Sequence, residues 1–294
     1  MQKAIKLMLF LFLINTITIN AQTLINNEVL LFSIENKTID FIVADKNLEE
    51  KKPILLFCQG SLPIPLLIKK EDGTTEIIAG GVKTLNLEEL QKSFYVVVVS
   101  MPETPATVSE SDLNNQFYFD PRHENQPTEL FLKADYVENY VNRAEKVLSF
   151  LQNQSWVSNE KLVIAGHSQG TKIASKIALQ NKFVTHLGLF NPNPFGRIDE
   201  EVRQARLDAQ SKKISWTEAS TAIDESILFY QHASDPKNQT EDPSLIAWKS
   251  FSQPSLNDWL KIEIPIYIAY GTEDTSSALC DIVPLFFISQ QKQI

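Results

Sequence analysis

The sequence predicts an α/β fold in which a mostly parallel central sheet is covered by helices on both faces. Three observations carry this prediction. Short apolar runs alternate with longer segments of helical periodicity, which is the pattern of βαβ units. The runs are apolar at every position, as expected of strands that are buried on both faces. With 294 residues, 43% of them hydrophobic, the chain is long enough for one large domain of this class.

The amino terminus predicts export from the cytoplasm. Lys3 and Lys6 precede an apolar stretch at residues 7–19, and Ala21 offers a small residue at which a leader is cut. The stretch is shorter than the roughly 20 residues that span a bilayer. Residues 1–21 are therefore predicted to be a signal peptide rather than a membrane anchor, and the protein is expected to be secreted or periplasmic.

The remaining chain, residues 22–294, is predicted to form a single domain. Two antiparallel strands come first, at residues 29–33 and 38–44. The buried strands that follow are predicted at residues 54–57, 94–99, 162–165, 187–190 and 264–270. Between them, apolar residues recur at three- and four-residue spacing in residues 134–152 and 171–180, which predicts two amphipathic helices.

Two polar segments interrupt this alternation. Residues 102–128 contain four prolines and are predicted to be a long loop. Residues from about 192 to 258 are predicted to form a helical lid between the sixth and seventh predicted strands, with helices near 199–211 and 215–232. Substrate choice is expected to lie in these two segments.

Charge and cysteine content exclude several classes of protein. The 27 basic and 36 acidic residues give a net charge of −9, which argues against binding of nucleic acid because that requires clustered Lys and Arg. Cys58 and Cys280 lie far apart, with no Cys-x-x-Cys and no neighbouring His pair. Neither a zinc site nor a disulfide scaffold is therefore expected.

The strongest chemical signal is the sequence Gly-His-Ser-Gln-Gly at residues 166–170. It follows a predicted buried strand and precedes a predicted helix. A serine on such a tight turn has its hydroxyl exposed in a cleft, and the flanking glycines let neighbouring backbone approach. The helix amino terminus presents free N–H groups to a developing oxyanion. Ser168 is thus predicted to be a nucleophile, with a purely structural turn serine as the alternative.

This arrangement resembles the α/β-hydrolase family from about residue 28 onward. The resemblance implies a serine hydrolase that cleaves an ester, thioester or peptide bond in a small-molecule or peptide substrate. The reaction is expected to pass through an acyl-enzyme on Ser168 and to require no metal or organic cofactor. It implies an oxyanion hole formed by the backbone N–H groups of Gln169 and Ser61. Ser61 follows a Gln-Gly pair at the end of a predicted strand, and the alternative reading of this pair is an ordinary turn. His167 is expected to pack beside the turn rather than act as the base.

The resemblance also assigns the acid of a catalytic triad. A Gly-x-x-Asp sequence follows the predicted strand at residues 264–270 and ends at Asp274, which matches the acid-bearing turn of the family. Such a carboxylate orients the histidine and stabilises its imidazolium form. The neighbouring Glu273 is the alternative acid, and a solvated turn carboxylate is the other reading of Asp274.

The family pattern fails at the histidine, which should follow the acid. No histidine follows Asp274, and the family's last strand and helix are expected to be missing after a helix predicted at residues 275–291. Three explanations stay open: the sequence is truncated, His232 or His123 supplies the base, or the protein is a non-catalytic member that binds a ligand. His186 is the poorest candidate because it lies at the opposite end of the sheet.

Aromatic residues in the predicted lid allow two interpretations. An apolar acyl pocket and ordinary helix packing both use such residues, and packing is the favoured reading. They are Trp216, Phe229, Tyr230 and Trp248. Neither the exact substrate nor the oligomeric state can be deduced from the sequence.

Overall fold

A computed structural model describes residues 20–25, 28–36 and 38–292, so most of the predicted leader lies outside the described residues. Its centre is an eight-stranded sheet with the strand order β1-β2-β3-β7-β4-β9-β10-β11. The strands are β1 (Asn20–Ile25), β2 (Val29–Ile34), β3 (Ile39–Ala44), β4 (Lys52–Cys58), β5 (Leu67–Lys69), β6 (Thr75–Ile77), β7 (Tyr95–Val99), β8 (Thr107–Ser109), β9 (Val157–His167), β10 (His186–Phe190) and β11 (Ile266–Ala269).

The central sheet is mixed, with its parallel part where the sequence predicts it. Strands β1, β2, β3 and β7 pair antiparallel in that order. From β7 through β4, β9 and β10 to β11 every pairing is parallel. The carboxyl ends of five strands therefore meet at one edge, which is where ligands bind in open α/β sheets.

Helices connect the strands and cover the sheet. They are α1 (Leu87–Gln91), α2 (Glu129–Ala134), α3 (Val137–Gln152), α4 (Gly170–Gln180), α5 (Arg197–Gln210), α6 (Trp216–Ala233), α7 (Pro236–Glu241), α8 (Ser244–Phe251), α9 (Leu256–Trp259) and α10 (Val283–Ser289). The α/β class predicted from the sequence is confirmed.

The two faces of the sheet enter separate apolar cores because successive strand side chains point to opposite sides. On β4, Ile54 and Leu56 pack in the core that contains α3 and α4. Leu55 and Phe57 pack on the other face, against α1 and a small three-stranded sheet with the order β6-β5-β8.

That small sheet corrects the prediction of a long loop over residues 102–128. Strand β8 lies within this segment and pairs parallel with β5, and Val108 is buried there while its neighbours are exposed. A strand of three residues is too short for its alternation to be recognised in a polar, proline-containing sequence.

The segment between β10 and β11 is helical, as predicted, and consists of α5 to α9. Helix α6 begins with a capping box in which the side chains of Ser215 and Glu218 each accept a hydrogen bond from the other's backbone N–H. Small side chains, Ala205, Ala209 and Ala219, let α5 and α6 pack closely.

The carboxyl-terminal helix is shorter than predicted. Residues 275–291 contain a 3₁₀ turn, Ala278–Ile282, followed by α10 with Pro284 in its first turn. Proline favours that position because it has no N–H to donate there. In the described residues no helix is both long and apolar enough to cross a bilayer.

Candidate active site

Ser168 lies on the turn that joins β9 to α4, in a conformation that side chains rarely adopt. Its φ angle is 52°, which costs a non-glycine residue about 1–2 kcal/mol. Hydrogen bonds hold it there: its N–H donates to the carbonyl oxygen of Phe190 at 3.0 Å, and its own carbonyl accepts from the Thr171 hydroxyl at 2.6 Å. The side chain of Ser168 is exposed. The turn therefore presents the hydroxyl outward from a rigid support.

The two glycines of the motif are required by close backbone contact. A Cβ atom on Gly166 would lie 2.3 Å from the carbonyl oxygen of Gly170. A Cβ on Gly170 would lie 2.2 Å from the carbonyl oxygen of Cys58 at the end of β4. A side chain at Gly166 would therefore displace the start of α4, and one at Gly170 would push the turn away from β4.

A cleft of about 260 Å³ opens at Ser168. Nearly all of its lining side chains are polar or charged, and the apolar exception is Phe251. The lining residues are Ser61, Ser168, Gln169, Lys172, Asn191, Asn193, Arg197, Glu200, Phe251 and Ser276. The structure thus brings together three residues predicted from distant parts of the sequence: Ser168, Gln169 and Ser61.

The predicted oxyanion donors have free backbone N–H groups. Neither Ser61 nor Gln169 donates its backbone N–H to another described residue. The backbone before Ser61 passes close to the serine, since a Cβ on Gly60 would lie 3.9 Å from Cβ of Ser168. Gln59 turns away and donates to the carbonyl of Val99 at 2.8 Å. Two unused N–H groups at one cleft can stabilise a negative oxygen.

Asp274 lies behind the cleft, half-buried, with both carboxylate oxygens hydrogen-bonded. Oδ2 accepts from Asn191 at 3.1 Å and from the Ser277 hydroxyl at 2.9 Å. Oδ1 accepts from the hydroxyl and the N–H of Ser276. Burial raises the pKa of Asp274, but the hydrogen bonds from Ser276 and Ser277 outweigh it and hold the pKa below its ordinary value. Glu273, the alternative acid, is exposed.

None of the four histidines, all of which are described, lines the cleft. His232 makes its ring contact with the Asn238 side chain at 2.9 Å, and His186 with the Thr185 hydroxyl at 3.0 Å. His123 is exposed in the segment before α2. His167 is exposed rather than packed beside the turn, so that prediction was wrong.

Three charged residues of the cleft, Lys172, Arg197 and Glu200, were not predicted from the sequence. The Lys172 ammonium donates to the carbonyl of Gln253 at 2.5 Å and to the Ser255 hydroxyl at 3.2 Å. Burial lowers the pKa of Lys172 to about 8. Glu200 accepts from Asn193 at 3.0 Å, and burial raises its pKa.

A signal for some of the missed residues exists in the sequence. Asn191 follows a predicted parallel strand directly, and the ends of such strands meet at the ligand-binding edge. Lys172 lies four residues after Ser168, one helical turn away on α4. Nothing in the sequence around Arg197 distinguishes it from other arginines.

A buried carboxylate supports Gln169 from below. Asp135 accepts a hydrogen bond from the Tyr140 hydroxyl at 2.7 Å and one from the Gln169 side chain at 3.4 Å. Burial raises the pKa of Asp135. The Tyr140 hydroxyl holds the carboxylate, and the carboxylate in turn accepts from the residue that follows the predicted nucleophile.

In the part of the chain that the structure describes, no group of three His, Cys, Asp or Glu residues could hold a metal ion. Cys58 and Cys280 are free and buried, and burial raises the pKa of each thiol to about 12. Such thiols are poor nucleophiles because the reactive thiolate is not populated near neutral pH.

Comparison with known proteins shows similarity in structure alone. No protein-family model and no curated protein matches the chain. A solved structure from Bacteroides ovatus ATCC 8483, provisionally assigned as a dipeptidyl aminopeptidase IV, matches with a TM-score of 0.51 and 10% identity over 90% of this chain and 31% of that one. Acetyl xylan esterase 1 from Thermoanaerobacterium sp. JW/SL YS485 gives a TM-score of 0.43 and 15% identity over 90% of this chain and 73% of that one.

A third similar structure is the acylaminoacyl peptidase of Pyrococcus horikoshii, with a TM-score of 0.49 and 14% identity over 90% of this chain and 34% of that one. The chain thus spans about a third of the length of both peptidases. At such low identity the likeness shows the fold and not the activity.

Proposed function

We propose that this chain, which has the α/β-hydrolase fold, is a serine hydrolase that cleaves a carboxylic ester, thioester or peptide bond through an acyl-enzyme on Ser168. The observation that carries the proposal is the turn at Ser168. A non-glycine residue is held at a φ of 52° with its side chain exposed in a polar cleft. Strain of this kind persists where function requires it.

The chemistry follows from the positions of the groups. The Ser168 oxygen attacks the substrate carbonyl carbon, and the negative oxygen that forms is received by the N–H groups of Gln169 and Ser61. Collapse breaks the bond to the leaving group and leaves an ester on Ser168, which water then hydrolyses. The proton from the Ser168 hydroxyl passes through a base to the leaving group, and none of the described histidines lies in the cleft to carry it.

Asp274 is the proposed acid of this site. Its low pKa keeps it ionised at neutral pH, and Asn191 and Ser276 connect it to the cleft wall. An ionised, fixed carboxylate can orient a base and stabilise its charged form. A histidine beyond residue 294 stays a prediction, which the nucleotide sequence downstream of codon 294 tests.

Labelling with a fluorophosphonate tests the nucleophile. The unmodified chain is expected to be tagged on Ser168, identified by peptide mass spectrometry, because only an activated serine reacts rapidly. The variant Ser168→Ala should lose the tag. Ser149→Ala removes another exposed serine whose hydroxyl has no hydrogen bond in the structure, and this control should be tagged like the unmodified chain. A well-folded, full-length version of the protein that stays untagged contradicts the proposal.

A second function is favoured by one observation, the absence of a histidine from the described cleft. We propose as the alternative a non-catalytic protein that binds a ligand at Ser168 and its neighbours. In that case Ser168→Ala leaves the biological phenotype intact. A lost phenotype with unchanged folding argues for catalysis.

The compartment and the lid are further proposals. Residues 1–21 act as a leader for export, so the amino-terminal sequence of the protein recovered from periplasm or medium should begin at Gln22. An uncleaved chain confined to the cytoplasm contradicts this. Residues from about 192 to 258 act as the lid. Support for this role comes from four residues of the segment that line the cleft: Asn193, Arg197, Glu200 and Phe251.

A further inference from the structure

We infer that the cleft binds an acyl group that carries a carboxylate, and that Arg197 and Lys172 bind this carboxylate. The inference rests on the proposed function and names the substrate class of the same site. Both cations line the cleft that contains Ser168. They approach it from two different segments, since Lys172 belongs to α4 and Arg197 begins α5.

The guanidinium of Arg197 is held in place but is unused. Its Cζ lies 4.3 Å from the centre of the Trp248 ring, and that ring packs edge-on against Phe229 at 4.8 Å. No described oxygen lies within hydrogen-bond or ion-pair distance of the guanidinium. Arg203 on the same helix differs, because its Nε donates to Asp199 at 2.9 Å. Arg197 therefore offers a fixed fork of donors that fits a carboxylate.

Lys172 offers a second cation with one free donor. Its ammonium group donates to the Gln253 carbonyl and to the Ser255 hydroxyl. An ammonium group has three N–H donors, so one remains for a ligand. The two bonds restrict the side chain and so reduce the entropy that binding would cost.

Among the side chains that line the cleft, two are cationic, Lys172 and Arg197, and one is acidic. Outside the lining, Glu201 and Asp135 attract Arg197 without forming an ion pair with it. Glu200 is the acidic residue among the lining side chains, and it is held by Asn193. Asp258, near Lys172, forms an ion pair with Lys176 at 2.8 Å. Asp135 lies beneath Gln169, bonded to Tyr140. In a chain of net charge −9, two cations beside the proposed nucleophile select an anion that the rest of the surface repels.

The size and polarity of the cleft limit the length of the acyl group. Its volume is about 260 Å³, and Phe251 is its one apolar lining residue. The exposed Trp216 and the packed pair of Phe229 and Trp248 do not line it. A long apolar chain therefore finds little surface to bury, whereas a short chain that ends in a carboxylate meets the cations.

Two matched esters test the inference. The phenyl ester of pentanoic acid and the monophenyl ester of glutaric acid differ in one end group, a methyl group in the first and a carboxylate in the second. The full chain should have the higher kcat/KM for the glutarate ester. In Arg197→Gln the ratio of the two kcat/KM values should fall about 10- to 100-fold, since a bond between charged groups is lost.

Two further variants serve as controls. Arg206→Gln changes an exposed arginine of the same helix that has no partner in the structure, and its ratio should stay that of the unmodified chain. Arg197→Lys keeps the charge without the fork and should give an intermediate ratio. A ratio that is unchanged in both Arg197 variants, or an unmodified chain that prefers the pentanoate ester, overturns the inference.

Binding of glutarate, measured by calorimetry on the full chain, separates this inference from the proposed hydrolysis. Glutarate should bind, and Arg197→Gln should weaken the binding by the same factor. Binding without cleavage of either ester supports the carboxylate subsite and counts against hydrolysis. Cleavage of the pentanoate ester without glutarate binding supports hydrolysis and overturns the subsite.

Discussion

Lys172 combines burial with a positive charge, and its pKa near 8 gives the proposed anion binding a pH dependence. Below pH 8 the ammonium is charged and attracts a carboxylate; above it the amine is neutral. The charged groups near it are Arg197, Glu200, Asp258 and Lys176. We expect the KM for monophenyl glutarate to rise about tenfold as the pH passes from 7 to 9.

The matched ester and one variant complete this experiment. The KM for phenyl pentanoate should change little over the same range, because that ester has no charge for Lys172 to bind. In Lys172→Met the KM for the glutarate ester should be high already at pH 7 and nearly independent of pH. A KM that rises equally in this variant assigns the titration to another group.

Asp274 is expected to stabilise the fold as well as the site. Asp274→Asn replaces an acceptor by an amide that faces the donors of Ser276 and Ser277, and should lower the free energy of unfolding by about 1–3 kcal/mol at pH 7. Because the folded pKa is below the unfolded one, this contribution is present above the unfolded pKa and is lost as the pH falls through the folded pKa.

Urea unfolding measures both effects. The unmodified chain should lose stability as the pH is lowered below about 4, whereas Asp274→Asn should show a flatter dependence over that range. Glu273→Gln is the control, since that exposed neighbour has no partner in the structure. Equal stability of Asp274→Asn and the unmodified chain at pH 7 contradicts the role given to these hydrogen bonds.

For single residues, the sequence reveals the requirements of the backbone better than it reveals which side chains contact each other. The positions of Ser168 and its two glycines could be predicted because a tight strand-to-helix turn restricts which residues fit. The role of Arg197 could not, because its place beside the cleft depends on Trp248 some 50 residues away along the chain. The exposure of His167 depends likewise on how the whole turn sits in the fold.

At the level of structural elements, the turn between β9 and α4 depends on close backbone contact with β4. Gly170→Ala should lower the free energy of unfolding by about 3 kcal/mol or more, because the new methyl group would meet the Cys58 carbonyl at 2.2 Å. Gly188→Ala is the matched control: its nearest contact would be an ordinary 3.5 Å to Phe190, and its stability should change by less than about 1 kcal/mol. Chemical denaturation of the two variants measures the difference, and equal values contradict the close approach.

The elements that the sequence reveals are those with many residues of one period. Strand β4 and helix α3 were predicted within a few residues because each repeats its pattern over its whole length. Strands β5 and β6, of three residues each, were not predicted. The helix predicted at residues 275–291 was too long because apolar spacing alone does not distinguish a 3₁₀ turn from an α-helix.

For the whole molecule, the order of strands and helices follows from the sequence, and the cleft does not. Alternation of buried strands and amphipathic helices allows few topologies, so the fold class could be predicted from particular runs such as residues 94–99. The cleft is formed by residues from five separate segments, among them Ser61, Asn191 and Ser276. Their convergence is a property of the folded chain, and single-sequence patterns do not contain it.

The outer strand of the sheet predicts how whole molecules interact. In the described residues no further strand pairs with β11. Beside it is an apolar groove of about 750 Å³ whose walls include Ile264 and Phe287, and Tyr267 on β11 is 64% exposed. Unpaired backbone next to apolar surface pairs readily with another chain. We therefore expect the chain described here to self-associate as its concentration rises.

A charge on the outer strand should suppress this association, because pairing would bury it. Tyr267→Lys is expected to shift the weight-average mass in static light scattering toward that of the monomer. Phe183→Lys is the matched control, since Phe183 is similarly exposed, at 57%, and lies outside β11 and the groove. If both variants suppress association equally, exposed aromatic surface in general causes it rather than β11. If the unmodified chain is monomeric at every concentration, pairing at β11 is contradicted.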